Sequence, residues 1–171
     1  MAYAFCLRFD TESEAAVAVL WQVLVDSGAG DDMLRLGYPP HLSLAVLDEE
    51  PPLAVVEAAF DAMSDMSGFD MQLSDVKCFA DTPIVWLAVD GGTALADLHA
   101  RLQALLPEAL VREHYRQGRW TPHVTLQMQG DAAAAMMIAG EAWPQAVDAR
   151  LVALELVQFP PVVVVKSVVL T

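Results

Sequence analysis

Positive charge is scarce in this chain. Its 171 residues carry nine Lys and Arg against 23 Asp and Glu, a formal net charge of −14. Extended nucleic acid is gripped through many cationic backbone contacts, so this balance argues against such a partner and leaves a small or terminal phosphate group as the accessible anion. Cysteine is scarce as well. Cys6 and Cys78 lie far apart in apolar, strand-like runs, without the paired spacing of zinc or redox motifs, and read as small core hydrophobes. Long apolar runs are also missing: the richest, Val162 to Leu170, is interrupted by Lys166 and reads as a buried strand, too short to span a bilayer. The opening Met-Ala-Tyr-Ala-Phe-Cys has neither a basic leader nor a long apolar segment, which predicts a cytoplasmic protein with no membrane partner. Asp and Glu are scattered along solvated faces, so no metal or cofactor is expected.

Apolar residues, at 56%, are ample for one domain over residues 1–171. Residues 3 to 9 read as a strand, and Thr11 with Glu14 three residues later forms a capping-box signature for a helix carrying Val17, Leu20, Trp21 and Leu24 and ending near Gly28. A strand follows from His41 to Leu47, then a helix with Val56, Ala59, Phe60 and Met63 on its inner face. Phe69, Met71 and Leu73 then alternate with polar residues in a half-buried strand running toward Phe79.

The second half repeats this order. Strand Ile84 to Val89, a Gly91-Gly92 turn, a helix carrying Leu95, Leu98, Leu102 and Leu105, strand His123 to Met128, a helix opened by Asp131 and strand Leu151 to Phe159 follow in turn. The simplest account is two strand-helix-strand-helix-strand units, lobes of about 1–81 and 82–171, with Val162 to Leu170 as an added strand. Each unit alone would expose an apolar sheet face. The expected fold is therefore α+β and bilobal, with two mainly antiparallel sheets facing a central groove and helices outside.

Each half contains Pro-His followed by an apolar residue, a hydroxyl residue and leucine: Pro40-His41-Leu42-Ser43-Leu44 and Pro122-His123-Val124-Thr125-Leu126. With so few Ser and Thr in the chain, two such contexts among four histidines would arise by chance about once in a thousand. Side chains at i and i+2 of a strand share a face, so each histidine shares a face with its hydroxyl partner, while Leu42 and Val124 turn the other way. A pseudo-twofold relation between the units would bring both faces to one groove. Two imidazoles can serve as acid and base for transfer at a phosphodiester, because neutral and protonated forms coexist near neutrality. The Ser43 and Thr125 hydroxyls can donate to the non-bridging phosphate oxygens.

With these residues the sequence resembles the two-histidine (2H) phosphoesterase superfamily, and within it the 2′-5′ RNA ligase-like, or LigT-like, bacterial branch. The two His-x-Ser/Thr-Leu tetrads and their spacing carry the resemblance, and the repeated architecture extends it over nearly the whole chain. It implies a duplicated α+β fold, metal-independent catalysis by His41 and His123 with Ser43 and Thr125 beside them, and substrates such as 2′,3′-cyclic phosphates or 2′-5′ linkages of nucleotides and RNA ends. Ligation by reversal of the same chemistry, and a nucleotide-binding module without turnover, remain as alternatives. Where relatives place a basic residue soon after a tetrad, Ala45-Val46-Leu47 and Gln127-Met128-Gln129 stand here.

Outside the tetrads, Arg112, Tyr115, Arg116 and Arg119 cluster just before the second motif and are candidate substrate contacts, with His114 among them. His99, on a helix beside Leu95, Leu98 and Leu102, reads as a boundary or surface residue. Tyr3 and Phe5 read as core, with groove lining as the alternative.

Overall fold

The computed structural model describes every residue except Glu49. The chain runs β1 (Ala2–Phe9), α1 (Thr11–Asp26), α2 (Asp32–Arg35), β2 (His41–Leu47), α3 (Leu53–Met63), β3 (Asp70–Cys78), β4 (Val85–Asp90), α4 (Gly92–Leu105), β5 (His123–Gln127), α5 (Ala132–Ala142), β6 (Val147–Phe159) and β7 (Val163–Val169). Two 3-10 turns, Glu108–Leu110 and Glu113–Tyr115, lie between α4 and β5. No described helix is long and apolar enough to cross a membrane.

All strand pairings are antiparallel, in the order β1-β2-β5-β4-β3-β6-β7 with a further β1–β6 pairing. The two facing sheets expected from the sequence are therefore one hydrogen-bonded sheet that closes on itself like a barrel. The 13-residue β6 is the reason: residues 147–150 pair with β3 and residues 151–159 with β1, bridging what would otherwise be separate sheets. Exchanging β1 with β4, β2 with β5 and β3 with β6 turns this closed set of pairings into itself. β7 lies outside the cycle, against β6.

One face of the sheet is apolar and covered by helices. Phe5, Leu7 and Phe9 of β1, Leu42 and Leu44 of β2, Leu87 of β4 and Val124 and Leu126 of β5 pack there against Leu20, Trp21 and Leu24 of α1, Val56 and Phe60 of α3, Leu95 and Leu102 of α4 and Ala135 and Ala139 of α5. Each large side chain so buried contributes roughly 1.5–3 kcal/mol. Phe5 is thus core, and Tyr3 packs against the same cluster. Cys6 is buried as expected, but Cys78 is exposed at the end of β3, where the strand leaves the helix-covered region.

The start of α1 differs from the expected capping box. Asp10, one residue earlier, is the N-cap, and its carboxylate accepts from Glu12 N and Ser13 N at 3.1 and 3.0 Å. Glu14 is drawn instead to the Arg8 guanidinium, at 2.6 and 2.8 Å. Asp131 caps α5 in the same way, as its position before the alanine run predicts. Asp10 also accepts from Ser13 Oγ and from Arg150 N of β6, at 2.7 and 2.8 Å, so one carboxylate ties the first helix to the long strand. Asp10→Ala is expected to lower stability by about 1–2 kcal/mol, read as a shift of the urea midpoint with an unchanged slope.

Candidate active site

The site begins with one rung of the sheet. Among the described residues β2 and β5 pair at Leu42↔Val124. Both side chains are fully buried on the helix-covered face. Alternation then sends the neighbours of each to the opposite face, and an antiparallel register sets His41 across from Thr125 and Ser43 across from His123. The four motif side chains thus form a two-by-two block in which each imidazole faces the other motif's hydroxyl. Directly opposite Cβ atoms in such a pair lie about 5 Å apart and diagonal ones about 7–8 Å, a separation that lets both rings reach one small anion.

The carbonyls beside this rung are taken up by indoles. Trp21 Nε1 donates to Thr125 O and Trp120 Nε1 to Ser43 O, each at 3.0 Å. Both rings are equally fixed at their roots: His41 Nδ1 lies 2.8 Å from Pro39 O and His123 Nδ1 2.7 Å from Thr121 O. A carbonyl can only accept, so Nδ1 carries the proton in both rings and Nε2 is left with its lone pair. The two imidazoles therefore share tautomer and orientation, and each can take a proton at Nε2 or, once charged, give it back.

Their surroundings differ. On the His41 side, Arg8 of β1 is its cross-strand neighbour, and the Tyr38 ring lies 4.7 Å away, centroid to centroid. Tyr38 Oη donates to Glu155 Oε2 at 2.5 Å, Arg8 Nη1 reaches the same oxygen at 3.3 Å, and Ser167 Oγ donates to the other Glu155 oxygen at 3.3 Å. A buried carboxylate needs such partners to remain charged. Cys6 Sγ lies 3.8 Å from Ser43 Oγ, and burial pushes its thiol up to about 12. On the His123 side the neighbours are aromatic: Phe79 meets His123 edge-on at 5.2 Å, and Trp86, cross-strand from Thr125, lies 5.8 Å from it.

Burial pushes the His41 imidazole down to about 4, with the Arg8 charge and His123 acting in the same sense and the Pro39 carbonyl and Glu155 opposing. His123 is also lowered by burial, against the pull of the Thr121 carbonyl. Burial likewise raises the Tyr115 hydroxyl, while the Arg112 charge and, more weakly, the Ser43 hydroxyl work the other way.

Of the candidates before the second motif, Tyr115 thus turns inward, packing against the cluster of Ala4, Cys6, Tyr38, Val46 and Val157. The three arginines are engaged elsewhere. Arg112 forks onto the Asp48 carboxylate, Arg116 Nε donates to Val111 O at 2.9 Å, and Arg119 pairs with Glu113 on the exposed surface. His99 is not a surface residue: it is buried at 4% exposure, because it completes the inner face of α4 with Leu95, Leu98 and Leu102. Its Nε2 lies 2.9 Å from Tyr115 O and its ring stacks on Trp120 at 4.1 Å. It therefore braces Trp120, which donates to Ser43 O, and the backbone of Tyr115. Sequence reasoning passes over Arg8, Tyr38, Glu155, Phe79 and Trp86. The strand period puts Arg8 on the face opposite Leu7, but nothing local marks Glu155, 147 residues away from Arg8. Among the described residues no three His, Cys, Asp or Glu side chains converge as metal ligands would.

Comparison with known proteins places the chain in a family and shows its fold among solved structures. A family model described as the 2′-5′ RNA ligase superfamily matches residues 10–160. The chain belongs to that superfamily, whose two-histidine phosphoesterase fold it carries. Among solved structures it is similar to LigT of E. coli complexed with 3′-AMP (18% identity, TM-score 0.70, 99% of this chain and 97% of that one). It is similar also to TT0787 of Thermus thermophilus (16% identity, TM-score 0.66, 99% and 98%) and to Usb1 of Kluyveromyces marxianus (11% identity, TM-score 0.53, 96% and 97%). No curated protein matches.

Histidine NMR titration of the free protein should give His41 an inflection near 4, with His123 and His99 below the ordinary 6.5. Above pH 7 both motif rings should show the Nδ1–H tautomer. Because the unfolded chain takes up these protons near 6.5 and the folded one does not, folding stability should fall as pH drops from 6.5 toward 4. His41→Asn should flatten that dependence in denaturant melts; an unchanged slope would contradict the burial argument.

Proposed function

We propose that this protein cleaves a small or terminal phosphodiester of a nucleotide or RNA end, a 2′,3′-cyclic phosphate or a 2′-5′ linkage, using His41 and His123 as acid and base without a metal. The observation that carries this reading is the pair of Nδ1-anchored imidazoles on neighbouring strands, each opposite the other motif's hydroxyl. Membership of the superfamily supports a phosphoesterase or ligase activity. Solved complexes of LigT of E. coli with phosphate, 3′-AMP, ATP and NADP+ support a small nucleotide as the ligand class.

In the proposed reaction one Nε2 removes a proton from water as its oxygen attacks phosphorus. The bond from phosphorus to a ribose oxygen breaks, and the second, protonated imidazole gives its proton to that oxygen. Ser43 and Thr125 donate to the non-bridging oxygens, orienting the phosphorus and stabilising charge as it builds there. Anion binding raises the pKa of the imidazole that must be charged, offsetting the burial that depresses it in the free site. Tyr115 is proposed as a further substrate contact. Arg112, Arg116 and Arg119 would contact the substrate only by exchanging Asp48, Val111 O and Glu113 for it. With an RNA hydroxyl in place of water as the attacking group on a cyclic phosphate, the same steps join ends, the reversal of cleavage that releases a cyclic phosphate.

The exchange-invariant pairing of the sheet supports a single domain built from two pseudo-repeat lobes, about 1–81 and 82–171. On this reading each lobe supplies one His-x-hydroxyl strand, and their junction is the active site.

Turnover of nucleoside 2′,3′-cyclic phosphates should survive excess chelator and fall about 10²- to 10⁴-fold in His41→Ala and in His123→Ala. The pH dependence of kcat/KM reports the free site, where one imidazole must be neutral and the other protonated. With His41 at about 4 and His123 lowered as well, the optimum should lie on the acid side of 6.5, whichever ring takes which role. Nucleotide binding without turnover would replace the enzyme by a binding module of the same fold.

A further inference from the structure

The structure gives the two histidines unlike neighbours, and the difference points to a direction for the substrate. Strand order sets β2, β5 and β4 side by side, so His123 stands between His41 and Trp86. Beyond Trp86, Phe79 follows the last residue of β3 and stacks on the indole, with centroids 4.8 Å apart and planes 27° apart. Both rings approach His123.

These rings are unusual in belonging to neither apolar cluster of the protein. Phe79 is only half-buried. Trp86 is 7% exposed, yet its buried Nε1 has no acceptor among the described residues. Tyr38, the aromatic neighbour of His41, contrasts on each point: it packs in the smaller cluster with Ala4, Cys6, Val46 and Val157, and its hydroxyl is held by Glu155. The fold therefore uses up the ring beside His41 and leaves beside His123 an aromatic pair outside both clusters, its outer ring, Phe79, half-exposed.

We propose that Phe79, backed by Trp86, is the platform on which the nucleobase of the substrate stacks. This deepens the reading above and rests on it. Any base has a π-face, so a stacking platform favours nucleosides over base-free phosphate esters without selecting a sequence. With the base on this side, the ribose lies next to His123. The attacking water must then come in line from the other side of phosphorus, where His41, Tyr38, Arg8 and Glu155 form the polar end. His41 accordingly takes the proton of the water, the bond from phosphorus to the ribose oxygen breaks, and His123 Nε2–H delivers its proton to that oxygen.

Binding tests this without relying on turnover. Calorimetric titration should show adenosine 3′-monophosphate binding more tightly than ribose 5-phosphate. Phe79→Leu, which keeps an apolar side chain at the turn, and Phe79→Ala should each weaken the nucleotide by roughly 5- to 100-fold while leaving ribose 5-phosphate unchanged, and Phe79→Trp should restore it. In the bound state, intermolecular NOEs should connect the adenine protons with the Phe79 and Trp86 rings and the ribose protons with His123. Equal losses for both ligands, no loss for either, or adenine contacts to Tyr38 or Tyr115 would overturn the platform. Undiminished cleavage of base-free cyclic phosphodiesters alongside any of these results would leave the two-histidine reading standing. Selective nucleotide binding without turnover in any assay would sink that reading and keep the platform.

Discussion

The site depends on the rung at which Leu42 and Val124 meet. Both are fully buried against the helices, and a strand has only two faces, so burying this pair commits His41, Ser43, His123 and Thr125 to the other face together. A slip of one residue in either strand would send its histidine into the core and expose a leucine or valine, at a cost of several kcal/mol. Hydrophobic burial on one side thus sets the register of the polar groups on the other. The indoles of Trp21 and Trp120 extend the same logic. Each is anchored among packed side chains and reaches across to the carbonyl of one motif's hydroxyl residue, holding the backbone where a further ladder bond would otherwise be needed.

Equivalent backbones need not give equivalent sites. The pairing cycle is unchanged when the halves are exchanged, and both histidines hold the same tautomer through the carbonyl two residues back. The asymmetry enters through side chains on the flanking strands. β1 presents Arg8 beside one ring, and β4 presents Trp86 on the far side of the other. A reaction that needs one proton removed and another supplied gains from such a difference, because two identical imidazoles would leave the direction of the substrate undetermined.

The parts of this arrangement that repeat locally are legible in the sequence. Period-two alternation separates His41 and Ser43 from Leu42 and Leu44, and helical spacing finds the inner faces of α1, α3 and α4. Closure of the sheet is not legible, since Val147-Asp148-Ala149-Arg150, which pair with β3, read as a polar lead-in to a strand starting at Leu151 and not as a part of β6 with a different neighbour. The capping box misleads for a definite reason: Asp10 and Thr11 are both competent caps, and what removes Glu14 from the box is Arg8, a cross-strand neighbour of His41 that faces it in space. The arginine cluster before β5 misleads differently. Charge density along a chain says where cations are but not which carboxylates claim them, and Asp48 is 64 residues from Arg112. Spacing alone leaves His99 at the edge of its helix, because Leu95, Leu98 and Leu102 suffice to define an inner face; the structure widens that face and buries His99 with them.

A net charge of −14 and a phosphate site are compatible if the ligand is small. Repulsion from the protein's overall field grows with the number of phosphates drawn into it, whereas the donors of the proposed site, two hydroxyls and a protonated imidazole, would act on one phosphorus at contact distance, where screening is weak. Each further phosphate of a long chain would add repulsion without adding a matched donor, because Arg112, Arg119 and Arg8 already sit on carboxylates. On the proposed reading, then, acidity is itself a selector: it disfavours internal phosphodiesters of a polymer relative to a terminal or cyclic one. Aromatic contact with a base is the kind of affinity such a protein can still supply, since stacking needs no positive charge.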